Sequence, residues 1–174
     1  MVFTAMQCSS SIDTVMKKTK VYLSLGTNLG NKEENIICAI ESLSRILGNP
    51  LAVAPTIETE PWGFQSANTF MNTAVAYETT LGPTELLAAT QEVERTLGRT
   101  TKSIGGAYSD RPIDIDILLY DDAIITTQEL TLPHPLMHKR LFVLQPLAAI
   151  APQVVHPIFK KSISQLLEEL SLQE

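Results

Sequence analysis

The chain has 174 residues, 44% of them hydrophobic and 18% charged, with a formal net charge of −6 and a pI near 5.1. That length suits a single domain with one core. No apolar run approaches the roughly 20 residues that cross a bilayer, and an acidic balance argues against a broad nucleic-acid surface, which needs clustered Lys and Arg. The expectation is a cytoplasmic monomer without nucleic-acid or membrane partners, leaving room for a local basic site that takes one polyphosphate.

Residues 1–19 are Ser/Thr-rich and lack a basic stretch leading into an apolar one, so they read as a flexible extension and not as a secretory signal. The domain is expected over 20–174. Cys8 and Cys38 make neither a zinc signature nor a disulfide framework, which suits a reducing compartment. VYLSLG (21–26), ended by Gly26, predicts a buried strand. In the following TNLGNKEENIICAIESLSRILG, Ile36, Ile40, Leu43 and Leu47 recur at helical spacing, and Gly48 sits where a C-terminal cap belongs. LAVAPTIET (51–59) and FMNTAVAYET (70–79) predict two more strands, joined by a polar and aromatic stretch, EPWGFQSANTF, of the kind that makes a binding loop.

A second helix begins at Pro83 and runs to Gly98, with Leu86, Leu87, Val93 and Leu97 as its buried stripe. RTTKSIGGAYSD (99–110) has no hydrophobic period and reads as a loop, and RPIDIDILLY after it predicts a strand. A short hairpin over 123–133 follows, then a helical stretch over 136–150 and a terminal helix from Ser162, with Gln165 completing a capping box. The order strand, helix, strand, strand, helix, strand predicts an α+β fold: a ferredoxin-like βαββαβ sheet with helices packed on it and an additional C-terminal hairpin and helices.

Asp114 and Asp116 are two apart in that last strand, so both carboxylates point to one face while Ile113, Ile115 and Ile117 point to the other. An isolated Asp-x-Asp is as readily the solvated face of an edge strand. Here the pair follows Arg111 and a Gly-containing loop, and a divalent cation would turn mutual repulsion into a ligand set. Mg²⁺ suits it, because Mg²⁺ takes one or two carboxylates and completes its shell with water and substrate phosphates. The histidines offer no zinc spacing, and Pro135 interrupts the helix that would align His134 with His138.

Arg99, Lys102, Arg111 and Arg140 flank the pair and suit the cationic demands of phosphoryl transfer, whereas Arg95 and Lys139 read as ordinary surface charges. There is no P-loop, dinucleotide fingerprint or nucleophile elbow. These residues leave open a diphosphate transferase, a nucleotidyltransferase or hydrolase using the same carboxylates, and a non-catalytic binding module.

RPIDIDILLY, together with LSLGTNLG, TEPWG, FMNTAV, QEVERTLGR and LPHPLMHKRLFVLQPL, resembles the 6-hydroxymethyl-7,8-dihydropterin pyrophosphokinase family over about residues 21–170. The resemblance implies diphosphate transfer from ATP to the pterin hydroxymethyl group in folate biosynthesis, with Asp114 and Asp116 holding two Mg²⁺ ions and Arg99 and Arg111 engaging the phosphates. It further implies a pterin site of Thr59, Pro61, Trp62, Phe70, Asn72, Arg140 and Phe142. For ATP it implies Gln91, Glu94, Lys102, Tyr108, Ile117, Thr131 and His134. Four positions depart from the family pattern: Phe70 stands where a tyrosine is common, Lys102 stands for an arginine, Glu129 lies where an arginine can contact the nucleotide, and Pro135 follows His134 where an aromatic can occur. Segments 60–69 and 99–110 are expected to close over the substrates and exclude water.

Overall fold

The computed structural model describes residues 17–63, 65–99 and 110–173. The elements run β1 (Thr19–Thr27), α1 (Lys32–Leu47), β2 (Ala52–Val53), β3 (Ile57–Thr59), β4 (Phe70–Thr79), α2 (Pro83–Thr96), β5 (Asp114–Tyr120), β6 (Ile125–Thr126), β7 (Thr131–Leu132), a 3-10 turn (Met137–Lys139), α3 (Leu141–Ile150) and α4 (Ile163–Ser171). The main sheet has the order β2-β4-β1-β5, with β3 also pairing β4, and every pairing is antiparallel. Among the described residues no helix is long and apolar enough to cross a membrane.

The alternation of side chains along β1 sorts the core into two halves. Val21, Leu23 and Leu25 join Ile36, Leu43, Leu86 and Val93 under α1 and α2, and Ile113, Ile115 and Ile117 pack into the same cluster. Tyr22, Ala74 and Ala76 face the opposite way, against Val143, Leu144 and Leu147 of α3 and Ile163 and Leu166 of α4. The sheet is thus sandwiched between two helical layers, and each fully buried Leu or Val contributes about 1.5–3 kcal/mol. Both predicted helix caps form: Gly48, at φ 87°, ends α1 with its N–H donating to the Ser44 carbonyl, and Ser162 and Gln165 bond reciprocally; at the other end of α1 the Asn31 side chain accepts from Glu34 N–H.

Two predicted elements are divided. The strand expected over 51–59 is two short strands, because Pro55 has no N–H to give the ladder; Ala54 N–H still donates to the Ala74 carbonyl at 2.9 Å, and regular pairing resumes at Ile57. The helix expected over 136–150 is a 3-10 turn and then α3, interrupted by Arg140 in an extended conformation (φ −126°, ψ 105°). That break turns Arg140 inward, leaving it 5% exposed.

β5 also carries an irregularity. Tyr22 is opposite Leu119 while Leu23 is opposite Ile117, so Leu118 is one residue in excess, a β-bulge. Its carbonyl, turned out of the ladder, accepts from the His134 N–H at 2.9 Å and docks that segment beside the sheet.

Candidate active site

The carboxylate pair sits where β1 offers least obstruction: Asp114 is opposite Gly26 and Asp116 opposite Ser24. Gly26 is also opposite Asn72 on β4, and a Cβ at Gly26 would lie 2.8 Å from Asn72 Oδ1. Only glycine lets that amide settle flat against the strand.

Two clefts meet at the pair. The first, roughly 470 Å³, is walled by Trp62, Phe70 and Phe142, with Thr59, Glu60 and Asn72 supplying polar groups. The second, roughly 700 Å³, is lined by Leu87, Thr90, Gln91, Glu94, Arg99, Ile115 and His134. Arg111, Asp114, Asp116 and Arg140 border both.

In the first cleft Asn72 Nδ2 donates to Thr59 Oγ1 at 2.8 Å, which orients the amide. The Arg140 guanidinium lies 4.8 Å from the Trp62 ring centroid and 5.7 Å from that of Phe142, and Arg111 lies 5.7 Å from that of Phe70. Stacked arginines are thereby held at the boundary between the clefts.

In the second cleft Arg99 bridges two acids: its Nη1 is 2.5 Å from Glu94 Oε1 and also bonds Asp114 Oδ1, while Arg111 Nη1 lies 3.3 Å from Asp114 Oδ2. Glu94 Oε1 also accepts from Ile115 N–H at 2.7 Å. Burial alone would lower the Arg99 guanidinium, but the charges of Asp114 and Glu94 hold it above its usual range.

Asp116 is less well compensated. Arg140 Nη1 and His134 Nε2 are each 3.8 Å from its Oδ2. Burial, then the Asp114 charge, push its carboxyl up to about 7 against the opposing pull of Arg140. The side chain is 35% accessible where it borders the clefts, yet it lies deep in the fold, and depth governs the desolvation. Burial and Arg140 together push His134 down to about 4, so it is neutral at pH 7.

The donor chemistry fits Mg²⁺. Two hard oxygen ligands share one face with their repulsion only partly offset, and no group of three or more His, Cys, Asp or Glu suited to a metal occurs among the described residues. An ion seated there must complete its shell from water or substrate oxygens, as Mg²⁺ does.

Most of the expected site residues converge. Thr59, Trp62, Phe70, Asn72, Arg140 and Phe142 line the first cleft and Gln91, Glu94, Arg99 and His134 the second. Pro61 lies further out, on a shallow surface with Gln65 and Ser66. Ile117 is buried in the core under α1 and α2, further along β5 than Ile115, and Thr131 is exposed on β7; neither lines either cleft. Lys102 and Tyr108 lie outside the described residues, as does most of segment 99–110. Glu94, expected on the flank of its helix, is buried at 5% exposure because Arg99 and Ile115 take its oxygen. Sequence reasoning missed Ser24, Gly26 and Glu60 as cleft-lining residues; the small, polar alternation Ser24-x-Gly26 inside an apolar strand was the available signal.

A family model described as 7,8-dihydro-6-hydroxymethylpterin-pyrophosphokinase matches residues 22–152. The 2-amino-4-hydroxy-6-hydroxymethyldihydropteridine pyrophosphokinase of Porphyromonas gingivalis is 49% identical over 138 residues, covering 79% of this chain and 93% of that one. The folic acid synthesis protein fol1 of Schizosaccharomyces pombe is 39% identical over 158 residues, 90% of this chain and 21% of that longer one. Among solved structures, the HPPK-DHPS protein of Plasmodium falciparum with SDX-DHP superposes with a TM-score of 0.71 at 15% identity, covering 88% of this chain and 44% of that one. This last likeness speaks to the fold: a mixed α/β arrangement with an antiparallel sheet and helices.

Proposed function

The chain belongs to the 7,8-dihydro-6-hydroxymethylpterin-pyrophosphokinase family, and from that premise we propose that its two clefts carry the transfer of diphosphate from ATP to 6-hydroxymethyl-7,8-dihydropterin, with AMP leaving, as a step of folate biosynthesis. The observation that carries this reading is the meeting of the two clefts: an aromatic slot and a polar, arginine-lined cleft have Asp114 and Asp116 in common. A flat heterocycle in one and a polyphosphate in the other would bring their reacting ends to the same carboxylates.

The first cleft suits the pterin. Phe70 and Phe142 supply stacking surfaces, Trp62 closes the side, and Asn72, oriented by Thr59, offers an amide to the polar edge of the ring. The second suits ATP, with Arg99 and Arg111 directed at the phosphates and Gln91 and His134 beside the nucleotide. His134, neutral at pH 7, would serve as a hydrogen-bond partner. Asp114 and Asp116 would hold two Mg²⁺ ions, which when bound neutralise phosphate charge and favour in-line displacement. The pterin oxygen bonds to the β-phosphorus, the bond from that phosphorus to the α-phosphate oxygen breaks, and one proton is released overall. The protein contributes position and charge, and no covalent intermediate is required. The strand order with all neighbours antiparallel supports a ferredoxin-like sheet, and one chain acting as a monomer is consistent with both clefts being built from its own residues.

Product analysis tests the assignment. With ATP, Mg²⁺ and the hydroxymethyl dihydropterin, AMP should appear in equal amount to pterin diphosphate. Inorganic diphosphate as the co-product would instead mean nucleotidyl transfer and overturn it.

The raised carboxyl of Asp116 gives a pH dependence. Its folded pKa, about 7, exceeds the ordinary 3.8, so the stability contributed by the neutral form is full below about pH 4 and is lost as pH rises through 7. Mg²⁺ competes with that proton. In calorimetry without nucleotide, Mg²⁺ affinity should fall about tenfold per pH unit well below 7, and binding at pH 7 should release about half a proton, rising to about one at pH 6 and below. Affinity that is flat from pH 6 to 8 would mean that no proton on Asp116 competes with the ion in that range.

A further inference from the structure

Three segments distant in sequence are joined at one carboxylate beside the site. Asn28 Nδ2 donates to Asp110 Oδ1 at 2.7 Å, and Asn68 Nδ2 donates to Asp110 Oδ2 at 3.2 Å. Asn28, 3% exposed, is itself fixed by the residue after Asp110: Arg111 N–H donates to Asn28 Oδ1 at 2.8 Å, and Asn28 N–H donates to the Arg111 carbonyl at 3.2 Å. Arg111 borders both clefts, while Asn68 belongs to the loop between β3 and β4 that carries Glu60 and Trp62 to the aromatic slot.

We propose that Asp110 is a positioning residue for the transfer reaction, holding the 60–69 loop against the segment that carries Arg111 into the two clefts. This rests on the assignment of the clefts given above. Its hydrogen bonds, led by those from Ser66 and Asn28, also hold the Asp110 carboxyl below its usual range, so it stays ionised and acceptor-only through neutral pH.

The donor inventory makes the contact testable by exchange. Asn28 cannot turn its amide, because Arg111 N–H occupies its oxygen. Asn68 is exposed and can turn. Asp110→Asn should therefore be tolerated: the new amide oxygen accepts from Asn28, and Asn68 reverses to accept from the new N–H. Asn68→Asp instead sets two carboxylates face to face and breaks the contact. Combining Asn68→Asp with Asp110→Asn restores a donor facing an acceptor and returns the local charge to its original value.

The expected result is a pterin KM raised about fivefold in Asn68→Asp, the scale of an exposed charged contact. The ATP KM and the melting temperature should be essentially unchanged, and the double variant should return to near the wild-type value. Trp62, the single tryptophan of the chain, reads the loop without turnover. Iodide quenching of its fluorescence should rise in Asn68→Asp and fall back in the double variant. If Asn68→Asp behaves as wild type, or the double variant is as impaired as Asn68→Asp alone, Asp110 does not position the loop. A wild-type protein that releases no AMP would overturn the cleft assignment, a separate outcome from either of these, and the quenching series would still decide the loop contact.

Discussion

Asp114→Asn and Asp116→Asn are each expected to lower kcat by about three orders of magnitude, the scale on which preorganised charge at a phosphoryl-transfer site acts. They should differ in stability, and the difference identifies which carboxylate is structurally paired. Asp114 bonds Arg99 and lies 3.3 Å from Arg111, so neutralising it weakens two buried guanidinium contacts and should lower the melting temperature. Asp116 is ionised only at a cost, because burial and Asp114 outweigh Arg140. Without Mg²⁺, Asp116→Asn should therefore melt higher than wild type above pH 7, and the advantage should vanish below pH 5, where the wild-type carboxyl is neutral as well. Thermal melts across that range, with single-turnover assays on the same samples, check both halves. Folded variants that keep kcat within tenfold of wild type would remove the metal seat from this strand.

The second large effect falls on Arg99. Its side chain is 10% exposed and faces Glu94, itself only 7% exposed, so Arg99→Met takes away a positive charge bonded to a buried carboxylate. Breaking such a pair from one side costs about 3–5 kcal/mol, and on the proposed role of Arg99 in engaging the phosphates turnover should be abolished as well. Glu94→Gln keeps an oxygen for Ile115 N–H and should cost far less. In urea denaturation, Arg99→Met combined with Glu94→Gln should be more stable than Arg99→Met alone, because the buried group that loses the guanidinium is then neutral, while activity stays lost. Strict additivity of the two substitutions would mean that the ion pair contributes nothing specific to the fold.

The elements legible in the sequence are those whose signals are local. β4 coincides with the run from Phe70 to Thr79, and α4 starts at Ser162 because both halves of its capping box lie within four residues. Side-chain alternation likewise placed Asp114 and Asp116 on one face and the isoleucines on the other. What escaped depends on partners distant in the chain. Glu94 turns inward because Arg99 and the Ile115 backbone meet it there. The helix expected through Arg140 breaks so that its guanidinium can lie beside Trp62 and Asp116, and Leu118 is extruded from the β1–β5 ladder. Propensity contains none of these contacts. Pro55 was a local signal of a divided strand, outweighed by the apolar residues around it.

The position of Gly26 has a consequence for which molecules the site can process. It is the rung shared by Asn72 on one side and Asp114 on the other, so two ladder spacings, about 10 Å of backbone, separate the amide that would read the heterocycle from the carboxylate where chemistry would occur. Hydrogen bonding makes that interval rigid, and loop movement cannot stretch it. The sheet therefore acts as a ruler: a compound that keeps the heterocycle but carries its hydroxyl one methylene further out should still bind, yet present its oxygen past the point of transfer.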